Sequence, residues 1–313
     1  MKKTILIALS IALALTFTTC NGRGRTGGTD GTDGTGGTRS TGETGGGGGK
    51  GDLQKWTAVS DSTFGTSQIT AIAYGNNRFV AGGSNGKMAY SANGASWTAV
   101  ANSTFGSTSY DSTHAIAYGG GRWVAMGGGG IAYSDDNGVT WTAVADRGLP
   151  TDAIAYGNNR FVAGGNGGKM AYSDDGANWT AVADSTIWDY TYTRNNTTYT
   201  ETAGIENIAF GNNRFVAVGG DKIAYSTDNG VTWTAVANTT FTSSMTIEEI
   251  AYGNNRFVAV GASASGTIAY SDNGVTWTAV EDSGIISIVF DIAYGNNRFV
   301  AVGSGGKMAY ADW

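Results

Sequence analysis

Gly211-Asn212-Asn213-Arg214-Phe215-Val216-Ala217-Val218-Gly219 is followed by Lys222-Ile223-Ala224-Tyr225-Ser226 and then by Thr227-Asp228-Asn229-Gly230-Val231-Thr232-Trp233-Thr234-Ala235-Val236. Side chains alternate through it: Phe215 and Ala217 against Val216 and Val218, Trp233 and Ala235 against Thr234 and Val236. A period of two belongs to strands, whose successive side chains point to opposite faces. The Asn212-Asn213 pair suits a two-residue hairpin turn, because Asn tolerates the positive φ such turns demand. With the preceding Ile205–Phe210, the stretch reads as four short strands: Ile205–Phe210, Arg214–Gly219, Lys222–Ser226 and Thr232–Val236. Almost nothing in it has helical periodicity.

The unit recurs. Gly-Asn-Asn-Arg-Phe-Val-Ala begins at 75, 157, 211, 253 and 295, and Gly-Gly-Gly-Arg-Trp-Val-Ala at 119, with spacings of 44, 38, 54, 42 and 42 residues. Trp-Thr-Ala-Val begins at 56, 97, 141, 179, 233 and 277, alternating with the first motif. Four-stranded units at this period predict an all-β chain: a six-bladed β-propeller of four-stranded antiparallel blades. A Trp-Thr-Ala-Val precedes the first unit, and the last unit ends at Trp313 without one. The N-terminal strand Lys55–Val59 is therefore expected to complete the last blade beside Ile292–Tyr294, Arg298–Gly303 and Lys307–Tyr310, which would remove two exposed sheet edges.

The turn before each late Trp carries a second pattern. Ser134-Asp135-Asp136-Asn137-Gly138-Val139-Thr140-Trp141 and Ser226-Thr227-Asp228-Asn229-Gly230-Val231-Thr232-Trp233 match Ser-x-Asp-x-Gly-x-Thr-Trp, with shorter versions at Ser91, Ser173 and Ser271. The pattern resembles the Asp-box (BNR-like) repeat of sialidases, sortilin-type receptors and bacterial surface propellers. The resemblance covers 56–313 and implies a propeller in which Asp or Asn caps a hairpin turn, Gly takes positive φ and Trp packs inward. In sialidases three arginines clamp the substrate carboxylate. Outside the repeated turn positions the repeats hold only Arg147 and Arg194, so that site is not carried over. Residues repeated in every unit, including Arg78, Arg122, Arg160, Arg214, Arg256 and Arg298, are read as structural.

The first fifty residues differ in kind. Lys2 and Lys3 precede an apolar run from Ile5 to Leu15 that is too short to span a bilayer, and Cys20 is the lone cysteine. Residues 1–20 resemble a bacterial lipoprotein signal, which implies acylation of Cys20; an ordinary secretory signal is the alternative. Residues 21–51 hold 15 Gly and 7 Thr in 31 positions, the composition of a flexible tether. The expected organisation is thus signal peptide 1–20, tether 21–51 and propeller 52–313, exported and lipid-anchored at the bacterial cell envelope.

Composition narrows the function. One Cys and one His in 313 residues leave no disulfide framework and no His-cluster metal chemistry. A formal charge of −6, with 13 basic against 22 acidic residues in 52–313, disfavours nucleic acid and direct contact with an anionic membrane. The expected membrane contact is the lipid anchor alone, and the expected state a monomer.

Recognition is sought where the repeats disagree, on the loops after the second and fourth strands. The largest departure is 184–204, read as a projecting hairpin with Trp188, Tyr190 and Tyr192 on one face and Tyr199 on the return strand. Such rings stack on sugars or anchor a protein contact; the alternative is that they pack on the propeller rim. Phe64, Phe105 and Phe241 are read as structural plugs. Entering the innermost strands, Thr70, His114, Asp152, Glu206, Glu248 and Phe290 are equivalent, with Glu249 and Asp291 beside them. These carboxylates are expected to converge on a central channel, either as a solvated rim or as ligands for a hard cation such as Ca²⁺; no other cofactor is expected. The favoured reading is a non-catalytic binding or adhesion module for a glycan or envelope protein. The alternatives are a glycoside hydrolase-like enzyme using inner-rim carboxylates and an envelope assembly factor.

Overall fold

The computed structural model describes residues 58–108, 110–145, 148–183, 186–237, 241, 246–262, 267–280, 289–303 and 308–312, without the side chains of 262 and 267. The signal, Cys20, the tether and Lys55–Thr57 of the expected closing strand lie outside the described residues. Asp61–Trp313 belongs to one compact unit. Residues 58–60 fall outside that unit and are exposed. Among the described residues, no helix is long and apolar enough to cross a membrane.

Six antiparallel sheets of three or four strands follow one another among the described residues, their strands hydrogen-bonded in chain order, with a separate two-stranded sheet between the third and fourth. The fourth comprises Asn207–Gly211, Arg214–Gly219, Lys222–Ser226 and Thr234–Ala235, within two residues of the four strands expected. Its first hairpin closes at Gly211 opposite Arg214. Asn212 and Asn213 sit at φ 48° and 55°, the double left-handed turn for which Asn is suited. Among the described residues the sixth sheet has three strands: Val289–Gly295, Arg298–Gly303 and Met308–Asp312.

The first strands, Ile69–Gly75, Thr113–Gly119, Ala153–Gly157, Asn207–Gly211, Thr246–Gly253 and Val289–Gly295, pack in sequence, each against the next. Their invariant aromatic-Gly ending has a packing cause. A Cβ on Gly119 would lie 2.1 Å from the Tyr156 ring of the next sheet, and Gly157 meets Phe210 in the same way. Only glycine lets the next ring lie on the strand end.

Apolar cores fill the spaces between successive sheets. Val124, Met126 and Ile131 of the second meet Ile154 and Phe161 of the third, and Val216, Val218 and Ile223 of the fourth meet Ile250 and Phe257 of the fifth. Among the described residues, the four cores from the first to the fifth sheet also receive a side chain from the connecting loop. Phe64, Phe105 and Phe241 are buried as expected, and Leu149 serves the core between second and third sheets. In the first, second, fifth and sixth sheets the first strand carries a bulge, at 69/71, 113/115, 247/249 and 289/291. A bulge re-aims the residue it sets aside, and those residues are Thr70, His114, Glu248 and Phe290.

Candidate functional site

The repeated turns bind one sheet to the next. In the second sheet, Asp136 accepts bonds from the Thr140 N–H at 2.8 Å and the Thr140 hydroxyl at 2.6 Å, and Gly138 N–H donates to Ser134 Oγ at 2.9 Å. The Trp141 indole N–H donates back to the Gly138 carbonyl at 3.1 Å. Burial pushes the Asp136 carboxyl up, but bonds from Thr140, Ser134 and Val139 outweigh it and hold the group down at about 2. The repeated arginines complete the joint. Arg160 pairs with Asp174 at 2.5 Å, lies over the Tyr172 ring at 4.5 Å and donates to the Asn229 carbonyl of the next sheet at 3.2 Å. Arg78 reaches Asn137, Arg122 reaches Asp175 and Arg214 reaches Asn273 in the same manner. These guanidinium groups are engaged in joining sheets, as their repetition suggested.

The insertion forms a two-stranded hairpin, Asp189–Arg194 with Thr197–Thr202, turning on Asn195 and Asn196 at φ 51° and 59°. Tyr190, Tyr192 and Tyr199 stand on one face, 41%, 39% and 44% exposed. The rings are near parallel: Tyr192 and Tyr199 have centroids 5.4 Å apart at 20°, Tyr190 and Tyr192 6.3 Å apart at 29°. Glu201 on the paired strand accepts a hydrogen bond from both the Tyr190 and the Tyr192 hydroxyls at 2.8 Å, which raises both phenols above their usual range. The opposite face carries Asp189, Thr191, Thr193, Thr198, Thr200 and Thr202.

Trp188 requires a correction. It was expected beside Tyr190 and Tyr192, but it precedes the strand, in a 3₁₀ turn at Thr186–Trp188, and is 0% exposed in the core between third and fourth sheets. A Cβ on Gly168, whose φ is 66°, would lie 3.0 Å from the Trp188 Cβ, so a glycine there makes room for the indole. Trp188 is the plug of its sheet interface, as Phe105 and Phe241 are of theirs.

The rim residues divide into two sets. His114 Nδ1 lies 3.0 Å from Asp152 Oδ1, and Asp152 Oδ2 accepts from the Asn166 N–H at 2.8 Å. Glu206 and Glu248 follow on the next two sheets, both half-buried. Burial, then the charge of Asp152, raises Glu206; burial, then Glu206, raises Glu248 to about 7. Glu249 and Asp291 do not join this rim. Each follows the bulge residue, opposite Val260 and Val302, and is buried at the position held by Ala71, Ala115, Ala153 and Asn207 in the other sheets. The bulge sets neighbouring residues on different sides, a distinction the alternation alone does not show. Among the described residues, no group of three or more His, Cys, Asp or Glu is placed to hold a metal ion.

The repeated sheets and their joints are those of a propeller, and the comparison with known families agrees. The family model described as "DUF6242 beta propeller domain" matches twice in succession, over 50–183 and 182–312. The chain belongs to that family. Each match spans three of the six sheets. No match was found among curated protein sequences.

Solved structures show the same fold at low identity. YCF48 bound to D1 peptide is 17% identical, with 79% of this chain covering 78% of that one at a TM-score of 0.57. The GH74 xyloglucanase of Xanthomonas campestris is 15% identical over 82% of this chain and 46% of its own, at 0.54. PorZ, a bacterial surface component of the type-IX secretion system of Porphyromonas gingivalis, is 15% identical over 79% and 33%, at 0.51. A peptide-bound protein, an enzyme and a secretion component share the architecture, so the fold leaves the choice among them to the site.

Proposed function

We propose that the protein is a non-catalytic binding module of the bacterial cell envelope, anchored through Cys20 and the 21–51 tether, that recognises a glycan with the face of the 189–202 hairpin. The observation that carries the reading is the row of three exposed, near-parallel tyrosines, two of them (Tyr190 and Tyr192) with hydroxyls fixed by Glu201, in the one large insertion of an otherwise repetitive scaffold. Rigid aromatic surface beside fixed hydroxyls and a carboxylate stacks on sugar rings and bonds their hydroxyls at little entropic cost. The Asp-box assignment and the six-bladed count belong to the same reading. So does closure: among the described residues the last sheet has three strands, and the Trp-Thr-Ala-Val of 56–59 is the motif that supplies the fourth strand elsewhere.

A glycan array probed with the chain and with its Tyr190→Ala/Tyr192→Ala/Tyr199→Ala variant tests the proposal. Selective binding that the variant loses supports it. Binding that survives all three changes refutes the hairpin as the site, and a blank array with retention of one envelope protein moves the ligand to protein.

The raised carboxyls of Glu206 and Glu248 favour a second reading, glycoside hydrolysis at the inner rim, since one acid must hold a proton near neutral pH. Turnover of a fluorogenic glycoside, lost in Glu206→Gln and Glu248→Gln, would establish it; no turnover by the unaltered chain rejects it.

A further inference from the structure

Two carboxyl groups lie in the joint between the fifth and sixth sheets and serve neither the hairpin nor the rim. Glu249 is 1% exposed and Asp291 4%. They occupy the same position on adjoining first strands, which pack against each other. The core around that joint is Val258, Val260, Ile268, Val289, Ile292 and Phe299. Glu249 Oε1 accepts from the Asn207 side-chain amide, and Asp291 accepts from the Ile292 N–H. Glu249 Oε2 and Asp291 Oδ1 are buried with no hydrogen-bond partner among the described residues. A buried acceptor left open is costly, and two carboxylates that feel each other's charge cannot both ionise cheaply. A proton on either group relieves the repulsion and converts an orphaned acceptor into a donor.

We infer that Glu249 and Asp291 hold one proton between them, and that this makes the docking of the sixth sheet on the fifth depend on pH. The groups around the pair supply no compensating cation among the described residues. The neighbouring first strand of the fourth sheet contributes Asn207, with Glu206 just before it; the fifth sheet's contributes Glu248 and, at its far end, Tyr252; the sixth sheet's contributes Tyr294. On the second strands, Arg256 and Arg298 stand four residues from the partners Val260 and Val302, about 13 Å along a strand. There they pair with Asp272 and Asp312.

Burial first, then Asp291, raises Glu249 well above its usual range, and burial raises Asp291 from 3.8 to about 7. A carboxyl raised on folding leaves stability untouched below its unfolded value. Stability then falls as pH climbs from about 4 to about 7, where the unfolded chain releases the proton and the folded chain keeps it. For Asp291 the penalty is complete above about 7, as much as about a thousandfold in the folding equilibrium; Glu249, raised well above its usual range, adds its own penalty in the same direction.

The test is thermal melting of the full chain from pH 4 to 8.5, for the unaltered protein, Glu249→Gln and Asp291→Asn. Glu206 and Glu248 also titrate in this range, so each variant is made as well on a Glu206→Gln/Glu248→Gln background. The proposal expects the melting midpoint to fall with pH in the unaltered chain and each variant to flatten that fall on both backgrounds. Variants that run parallel to their parents overturn it. Should both fail to fold, hydrogen exchange on the unaltered chain decides. Protection of 289–303, corrected for intrinsic exchange, must fall relative to 69–83 between pH 5 and 8; an unchanged ratio overturns the proposal.

Discussion

Trp188→Ala separates a plug from a binding ring. The indole is fully buried between Ala153, Ala155 and Met170 of the third sheet and Ile205, Ile208 and Phe215 of the fourth. Removing a buried Trp loses about 150–250 Å² of contact. At about 25 cal/mol per Å² that is about 4–6 kcal/mol, against about 3–5 kcal/mol for measured Trp or Phe to Ala changes. The expected cost is therefore about 3–5 kcal/mol. Trp188→Phe, which installs the residue found at the plugs of other interfaces, should cost less than about 1.5 kcal/mol. The smaller ring leaves some space, but the change also removes an indole N–H that is buried with no partner among the described residues. Urea unfolding followed by far-UV circular dichroism measures both, and array binding is read on the same samples. A Trp188→Ala chain as stable as its parent but unable to bind would refute the plug and restore Trp188 to the recognition face.

The remaining predictions concern the joints. Arg160→Ala loses the Asn229 contact, the stacking on Tyr172 and a largely solvated pair with Asp174; urea midpoints should register a loss of about 1–2 kcal/mol, mostly from the first two terms. Asp136→Ala removes the acceptor for the Thr140 N–H and hydroxyl, and at pH 7 should cost about 1 kcal/mol, discounted for the solvent exposure of the carboxylate. Because the folded carboxyl is held at about 2, its contribution is present above about 4 and lost as pH falls through about 2, so the difference between variant and parent melts should narrow in acid. If the N-terminal strand closes the last sheet, deleting 52–59 should expose the outer edge of Met308–Asp312, whose inner edge pairs with Arg298–Gly303, and promote association, read by light scattering; an equally stable monomer would contradict N-terminal closure.

Much of the architecture was legible because the repeats report what every sheet needs. Asn-Asn before Arg marked the turn, and Phe64, Phe105 and Phe241 declared themselves by recurring after Ser/Thr-Thr; the aromatic-Gly strand end, on which the next ring lies, recurs in every unit but its packing role shows only in the structure. Trp188 was misplaced because Trp188, Tyr190 and Tyr192 share parity, and parity holds only inside a strand; the strand begins at Asp189. The available signal was Ser185-Thr186, two residues of the kind that precede the other plugs, although here Ile187 stands between them and Trp188. Glu249 and Asp291 were misplaced for a related reason. A bulge adds one residue, so the side chain aimed at the rim and the one buried between sheets are neighbours in sequence. What distinguishes them is the Ala71, Ala115 and Ala153 at the equivalent position, small residues in a tight joint.

The central claim is that repeated turns hold the scaffold while the hairpin recognises the ligand. Its most direct test pairs stability and glycan-array binding in two chains, one with 189–202 replaced by Gly-Gly and one carrying Asp136→Ala. The account predicts that the first loses binding with a melting midpoint within about 2 °C of the parent, and that the second binds normally but melts earlier. Binding retained without the hairpin, or lost with Asp136 alone while stability holds, would contradict it.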